Sequence, residues 1–358
     1  MAAAKCLVIG SNSFSGASFI DYLLQQDVET IGTSRSPESH RAFLPYRWSG
    51  KDAGFRFVQC DLNHDLDRLM ALVRAEKPGY VVNFAAQSMV GESWKNPDHW
   101  FMTNVVSAVR LHDQLRQCDF LQKYVHVTTP EVYGSTDGFI RESTPFIPST
   151  PYAVSRAAGD MSLRTYFDAY KFPVVFTRAA NVYGPGQQLY RIIPRTILFI
   201  MLGRKLQLHG GGHSRRSFIH MQDVSDATWR IARDAPAGET YHISTNEIVT
   251  IRELVERICL KLGVKFEDHV EVVGERMGKD AAYMLDSTKL RETLGWKDRV
   301  SLDAGLDEID FELRDIADEC LAIGIPYFQA GVVQHGGPGG ILENHAPGVG
   351  GHLGTEGA

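Results

Sequence analysis

The chain has 358 residues, more than one hydrophobic core usually serves, so two lobes are the expectation. Its 37 basic and 43 acidic residues are interspersed and leave a formal net charge of −6, which excludes a general nucleic-acid or membrane surface but leaves room for a local basic pocket. The five cysteines, Cys6, Cys60, Cys118, Cys259 and Cys320, form no CxxC pair, which argues against a zinc site or a disulfide framework and fits a reducing cytoplasm.

MAAAKCLVIG enters an apolar run at once, without the charged n-region, long apolar h-region and cleavage site of a secretory leader. No apolar run reaches the roughly 18 residues that span a bilayer; the longest candidate, near 192–202, is broken by Pro194 and Arg195. Residues 6–9 predict a short strand ending at Gly10, and GSNSFSG then leads into the helix-like ASFIDYLLQQ. Strand, glycine turn and helix in that order make an anion site, because first-turn N–H groups and the helix dipole both favour a pyrophosphate. The turn offers Gly10, Ser13, Phe14, Ser15 and Gly16, with Ser13 standing where the three-glycine dinucleotide fingerprint has its second glycine.

Residues 28–33 predict a second strand. At its end an NAD site usually carries an acidic residue for the ribose hydroxyls, whereas this chain has Thr33-Ser34-Arg35-Ser36. Hydroxyls and a guanidinium suit a 2′-phosphate, so Ser34 and Arg35 favour NADP over NAD. Residues 55–59 predict a third strand, followed by Asp61 and Leu62 where an adenine-contacting aspartate can sit. Residues 66–76 predict a helix and 80–84 a fourth strand, with Ala85, Ala86, Gln87 and Ser88 at its carboxyl end, the ligand edge of such sheets. A further helix is predicted over 98–117; Asn104 inside it is open to a structural or a functional reading. Alternating β and α patterns predict an α/β fold, a doubly wound parallel sheet covered on both faces.

The stretch 125–156 has the layout of an active site. A β-rich run at 124–127 ends in Thr128 and Thr129, Glu131 follows, and Tyr152 and Arg156 sit one helical turn apart beyond a proline-rich loop. Residues i and i+4 share a helix face, which puts the Arg156 guanidinium where it lowers the pKa of the Tyr152 phenol below its usual value of about 10. Beyond Arg178 the alternation fades into GPGQQLYRIIPR and LQLHGGGHSRRS, glycine-punctuated loops with basic residues that suit a smaller substrate lobe over the sheet's carboxyl edge. Residues 239–244 predict a strand and 251–262 a helix of that region. The last 28 residues, 331–358, hold ten glycines and too few large apolar residues to build a core. No internal repeat occurs at a solenoid period.

The glycine turn, AAQS, TNV, TTPEVYG, Tyr152-x-x-x-Arg156, RAANVYGPG and RRSFIHMQD, in that order, resemble the extended short-chain dehydrogenase/reductase superfamily. Within it the chain is most similar to the nucleotide-sugar 4,6-dehydratases of the dTDP-glucose type, and DSTKLRETLGW near the C-terminus is also typical of such enzymes. The resemblance runs from about residue 5 to about residue 315. It implies an NAD(P)-binding Rossmann domain over 1–182 with part of 217–250, a smaller α/β substrate lobe over 183–328, drawn mainly from 183–216 and 251–328, and a glycine-rich tail over 329–358.

The same resemblance implies individual roles. Thr129 would bond the sugar O4, Tyr152 would remove the O4 proton, and Glu131 would take the C5 proton. Asn181 and Ser88 would contact substrate, and Arg191, Arg216 and Arg276 would face the diphosphate, which needs such counter-charges. Two positions depart from the pattern. Arg156 replaces the usual lysine, keeping the charge but giving up any proton relay. Pro130 replaces the aspartate of the dTDP-glucose enzymes, so departure of the C6 hydroxyl would use Glu131 itself or a water; GDP-mannose dehydratases and UDP-glucuronate decarboxylases also lack that aspartate and keep the glutamate. The implied activity is nucleotide-sugar 4,6-dehydration, a lyase reaction with NADP or NAD returned unchanged. A 4-epimerase or decarboxylase of the same superfamily, or a catalytically silent dinucleotide-binding protein, are the alternatives. The expected partners are a nucleotide-diphosphate sugar and a second copy in a homodimer, with no nucleic acid, membrane or metal, and the expected location is cytoplasmic.

Overall fold

The computed structural model describes residues 4–136, 138–274 and 284–323, with side chains of the last helix described to Leu313. Seven strands, β1 (Lys5–Ile9), β2 (Glu29–Ser34), β3 (Phe55–Gln59), β4 (Tyr80–Asn83), β5 (Lys123–Val127), β6 (Val174–Ala179) and β7 (Thr240–Ile243), form one sheet in the order β7-β6-β5-β4-β1-β2-β3. Every neighbouring pair in it is parallel. The chain lays β2 and β3 on one side of β1, then returns to lay β4 on the other. That reversal opens a crevice at the carboxyl ends of β1 and β4, the place where open α/β sheets bind ligands.

The helices that shape the site are α1 (Phe14–Gln25), α2 (Leu66–Glu76), α3 (Pro97–Phe101), α4 (Ala108–Leu115), α5 (Pro151–Tyr170), α6 (Ile192–Met201) and α7 (Met221–Asp234). Strand side chains alternate between faces. Cys6 and Val8 accordingly join one apolar layer with Phe19, Ile20 and Leu23 of α1 and Val224 and Ala227 of α7. Leu7 and Ile9 join the opposite layer with Leu69 and Val73 of α2, Leu111 of α4 and Leu163 of α5. Burial on both faces is why these strands read as unbroken apolar runs.

Two predicted helices differ in detail. α1 starts at Phe14, because Ser13 caps it. The single helix expected over 98–117 is α3, a π-helical stretch Met102–Ser107, and α4. Asn104 lies in that stretch and is buried; a π-bulge lets one residue leave the regular ladder and is frequent at functional sites.

Beyond β6 the chain pairs short strands: Asn181–Tyr183 with Phe218–His220, Arg215–Arg216 with Val249–Thr250, and Leu206–His209 with Val270–Val273. The strand predicted at 239–244 is β7, an edge of the large sheet rather than part of that outer region. The helix predicted at 251–262 is Ile251–Lys261, started by a capping box between Thr250 and Glu253. Met1–Asp315 form one compact unit. Arg276, the Cys320 side chain and the glycine-rich tail lie outside the described residues. Among the described residues the cysteines Cys6, Cys60, Cys118 and Cys259 are free and buried, no cluster of His, Cys, Asp or Glu is arranged to hold a metal, and no helix is long and apolar enough to cross a membrane.

Candidate active site

The crevice begins with the turn after β1. Gly10 has φ +87°, in the left-handed region, and a Cβ there would stand 2.6 Å from the Ala85 nitrogen, so only glycine lets β1 pass the end of β4. The Gly10 and Ser11 amides both donate to the Thr33 carbonyl, at 2.7 and 3.0 Å. Ser13 has ordinary extended backbone and needs no glycine. Its hydroxyl donates to the Gly10 carbonyl at 2.7 Å and accepts from the Gly16 amide at 3.0 Å. The side chain at the second-glycine position is thus folded back into the turn as the cap of α1.

Around this turn the Ser11 and Thr33 hydroxyls and Asn12 Oδ1 are buried without a hydrogen-bond partner. Such atoms ask for a ligand, and the first-turn amides of α1 have no partner within their own helix. A dinucleotide pyrophosphate with its ribose fits both. Replacing Ser13 by Ala is expected to cost about 1 kcal/mol through the lost cap and to leave dinucleotide affinity within about twofold. Urea denaturation and a binding titration measure the two; a large affinity loss would make the hydroxyl a ligand group.

Asn12 Nδ2 donates to the Ser36 and Pro37 carbonyls at 3.1 and 2.6 Å, and Gln59 Nε2 donates to the Arg35 carbonyl at 2.9 Å. The loop carrying Ser34 and Arg35 is therefore pinned beside the turn, with the Arg35 side chain exposed. At the end of β3, Asp61 accepts from the Asn63 amide at 2.7 Å and Leu62 is buried. Ala85, Ala86 and Gln87 follow β4, partly buried, and Ser88 is exposed.

β5 delivers the next group. Thr129, 6% exposed, begins the short 3-10 turn Pro130–Tyr133, and its hydroxyl accepts from the Glu131 amide at 3.2 Å. Pro130 occupies the first position of that turn, where a missing N–H costs nothing and a fixed φ helps. α5 starts in the same way, with Pro151 first and the Thr150 hydroxyl accepting from the Ala153 amide at 3.1 Å. Tyr152 and Arg156 are both buried on α5, at 8% and 4% exposure. The Arg156 guanidinium donates to the Val127 carbonyl at the end of β5.

Burial pushes the Tyr152 phenol above its ordinary pKa, and the Glu131 carboxylate adds to this; Arg156, a hydrogen bond with Thr129, and Arg191 pull the other way. The expectation that Arg156 brings this phenol below its usual range is therefore corrected. The guanidinium acts in the expected direction, but it is tied to Val127 and burial outweighs it. Thr129, Glu131, Arg156 and Arg191 nonetheless act together on one phenol, although they come from three separate segments: the turn after β5, α5 and the start of α6.

Not every predicted residue converges there. The Asn181 side-chain amide donates to the Ser217 carbonyl at 3.2 Å, and Arg216 Nη1 donates to the Arg215 carbonyl at 2.8 Å. Asn104, which the sequence left open, joins two of the loops. Its Oδ1 accepts from the Gln87 amide at 2.9 Å, while its Nδ2 donates to the Gln87 carbonyl and the Ser155 hydroxyl, each at 3.0 Å. Ser155 in turn donates to the Tyr152 carbonyl at 2.7 Å. The available signal was an amide in the middle of an otherwise apolar helical pattern.

Comparison with known proteins places this arrangement. The family model described as GDP-mannose 4,6 dehydratase matches residues 7–309. A dTDP-glucose 4,6-dehydratase of Mycolicibacterium smegmatis is 30% identical over 317 residues, which are 86% of this chain and 92% of that protein. A trifunctional UDP-glucose 4,6-dehydratase, 3,5-epimerase and reductase of Arabidopsis thaliana is 31% identical over 256 residues, 70% of this chain, and the match spans 38% of the plant protein's length. Among solved structures, a dTDP-glucose 4,6-dehydratase from Streptomyces venezuelae with NAD bound superposes with a TM-score of 0.81 at 32% identity, over 88% of this chain and 98% of that one.

Proposed function

The chain belongs to the GDP-mannose 4,6-dehydratase family, and from that premise we propose that it is a nucleotide-sugar 4,6-dehydratase, a lyase that turns an NDP-hexose into its 4-keto-6-deoxy form. The observation that carries this reading is the convergence of Thr129, Glu131 and Arg191 on the Tyr152 phenol, at the carboxyl edge of β5, the same edge of the sheet as the glycine turn after β1.

A nicotinamide dinucleotide held by Gly10, Ser13, Phe14, Ser15 and Gly16, and by the loops after β2, β3 and β4, would supply the acceptor for the C4 hydride and give it back at C6. Tyr152, deprotonated, takes the O4 proton while Thr129 holds O4 in line. The C4 ketone makes C5–H acidic, and Glu131 removes it. Loss of the C6 hydroxyl needs an acid; with Pro130 in place of a second carboxyl, Glu131 returns its proton to the leaving oxygen. C5 then regains a proton, balanced by the one Tyr152 took from O4, so the chain ends in its starting state. Arg191, Arg216 and also Arg276, from a lobe drawn from the elements after 183, would bind the sugar nucleotide together with Ser88 and Asn181 from the sheet's carboxyl edge. Arg156 holds the cofactor side of Tyr152 and supplies charge.

The test is incubation with a panel of nucleotide sugars in deuterated water. The expected product has lost one water and carries deuterium at C5. A C4-inverted sugar without C5 label would place the chain among the epimerases.

NADP is the favoured dinucleotide, because Ser34 and Arg35 stand on the pinned loop where a 2′-phosphate would lie. Arg35→Ala is expected to weaken NADP binding by roughly 1.5–3 kcal/mol, the worth of a charge-assisted bond, and NAD binding by much less. Titrating each dinucleotide measures this, and equal losses would remove the argument. Met102 and Val106 on the π-helical stretch and Val154 and Met161 on α5 are exposed apolar side chains that a second copy would cover, which supports a homodimer. Four free, buried thiols support a cytoplasmic location.

A further inference from the structure

Asp160 and Arg178 pair in the interior, with Arg178 Nη2 2.6 Å from Asp160 Oδ2 and both side chains 3% exposed. The reaction as proposed uses neither. A buried ion pair is a weak means of adding stability, since desolvation offsets most of its attraction, so its placement calls for another reason.

Asp160 lies on α5 one turn past Arg156 and two past Tyr152. It accepts from the Thr128 hydroxyl at 3.0 Å, where the chain leaves β5, and His126 Nε2 stands 3.3 Å from its other oxygen. Burial alone would raise this carboxyl; Arg178 and His126 bring it down to about 2, so it is an anion throughout the working range. Arg178 reaches in from β6 and with Nη1 donates to the Tyr133 hydroxyl at 2.9 Å. Tyr133, 1% exposed, closes the turn that starts at Thr129 and carries Glu131. The Tyr133 oxygen is also 2.7 Å from His242 Nε2 on β7. Burial, then Arg178, lowers His242 to about 3, so its imidazole is neutral, and Tyr133 donates to it while accepting from Arg178.

One guanidinium is thus bonded through one nitrogen to the Glu131 turn and through another to the helix of Tyr152. Its donors form a rigid planar fork, so the separation of the two partners is set by the fork and not by a flexible stem. The Arg178 side chain is itself immobilised, 5.1 Å above the Tyr133 ring and 4.9 Å from that of Phe146. We infer that the chain Asp160–Arg178–Tyr133 is a positioning brace that holds the Glu131 carboxylate in register with the Tyr152 phenol, so that both act on one bound sugar. This rests on the roles proposed above for those two residues. Oxidation at C4 and deprotonation at C5 address adjacent carbons of one ring, and a displacement of about 1 Å at such a site can cost on the order of a hundredfold.

Tyr133→Phe is the sharpest test. It keeps the ring and its edge contacts with Phe146 and His242 and removes only the oxygen. A cavity of about 310 Å³ bordering Asp160, Arg178 and Thr240 offers water to the bared guanidinium, which favours a folded variant. Two rates are measured on the full chain, with the nucleotide sugar of the panel that turns over and with its isolated product. Reduced dinucleotide formed in a single turnover reports Tyr152 acting at C4. Exchange of the product's C5–H into deuterated water reports Glu131 without hydride transfer.

Tyr133→Phe is expected to slow C5 exchange by on the order of tenfold or more while C4 oxidation stays within about threefold. Asp160→Ala, which removes the oxygen that accepts from both Thr128 and Arg178, is expected to shift the ratio the other way. Val175→Ala, a core change on the opposite face of β6 from Arg178, is the control: it should lower Tm without altering the ratio. If Tyr133→Phe slows both rates in equal proportion, as Val175→Ala does at matched Tm, the chain of bonds is merely structural and the brace is wrong. A parent protein that oxidises C4 but never exchanges C5 overturns the role of Glu131, and the brace with it.

Discussion

Glu131→Gln is expected to bind the sugar nucleotide, accumulate reduced dinucleotide and fail to exchange C5–H with deuterated water. The amide keeps the size of the carboxyl, and the backbone amide of residue 131 keeps its bond to the Thr129 hydroxyl, so the turn should hold its shape. What is lost is the base. General-base removal typically costs roughly 10²–10⁴-fold, and here no second carboxyl follows Thr129 to substitute, because the preceding position is Pro130. Electrostatics sharpen the separation. The Glu131 carboxylate is one of the influences that raise the Tyr152 phenol, so neutralising it makes Tyr152 easier to deprotonate, and the C4 step should hold its rate or quicken at neutral pH. Reduced dinucleotide should build up while overall turnover collapses. Stopped-flow absorbance for the first step and mass spectrometry for the C5 label measure the two. Near-parental C5 exchange in this variant would remove Glu131 from the chemistry.

The parts of the molecule that can be read from the sequence are those set by local pattern. A parallel sheet buried on both faces makes its strands apolar along their length, so the runs at 6–9, 55–59, 80–84 and 124–127 mark four strands to within a residue or so. Proline and threonine at the starts of α5 and the Thr129 turn mark their boundaries for the same local reason. Features that depend on distant partners stay hidden. The break in the helix over 98–117 goes with Asn104 bonding to Gln87 and to Ser155, 17 positions before it and 51 after. Asp160, Arg178, Tyr133 and His242 read as isolated polar residues on separate segments, and only folding brings them into one bonded chain. The charge of Arg156 is legible, but its destination at the Val127 carbonyl is not. Nor does spacing along a helix reveal how dry the phenol's surroundings are, which is why the direction of the Tyr152 shift differs from the expectation.

That shift makes Arg156 the residue on which the pH dependence turns. In Arg156→Met, activity at neutral pH is expected to fall by on the order of tenfold, and the rising limb of the pH–rate profile to move to higher pH. Tyr152 works as a base only after losing its proton, so a higher pKa lowers the active fraction at any pH below it and carries the rising limb upward. Burial and Glu131 already raise this phenol, and Arg156 opposes them; removing the guanidinium charge leaves that rise less opposed. Methionine fills much of the space of the buried arginine stem, which limits repacking. The Val127 carbonyl loses its side-chain donor, at a cost of about 1–3 kcal/mol in stability, and thermal denaturation reads that loss apart from the kinetics. Arg156→Lys separates the two roles. It restores a positive charge but not the planar fork, so it should recover the position of the rising limb while leaving part of the stability loss in place. If Arg156→Met lost stability but kept the parental pH–rate profile, the guanidinium would be a strap between α5 and β5, and Thr129 and Arg191 alone would tune the base.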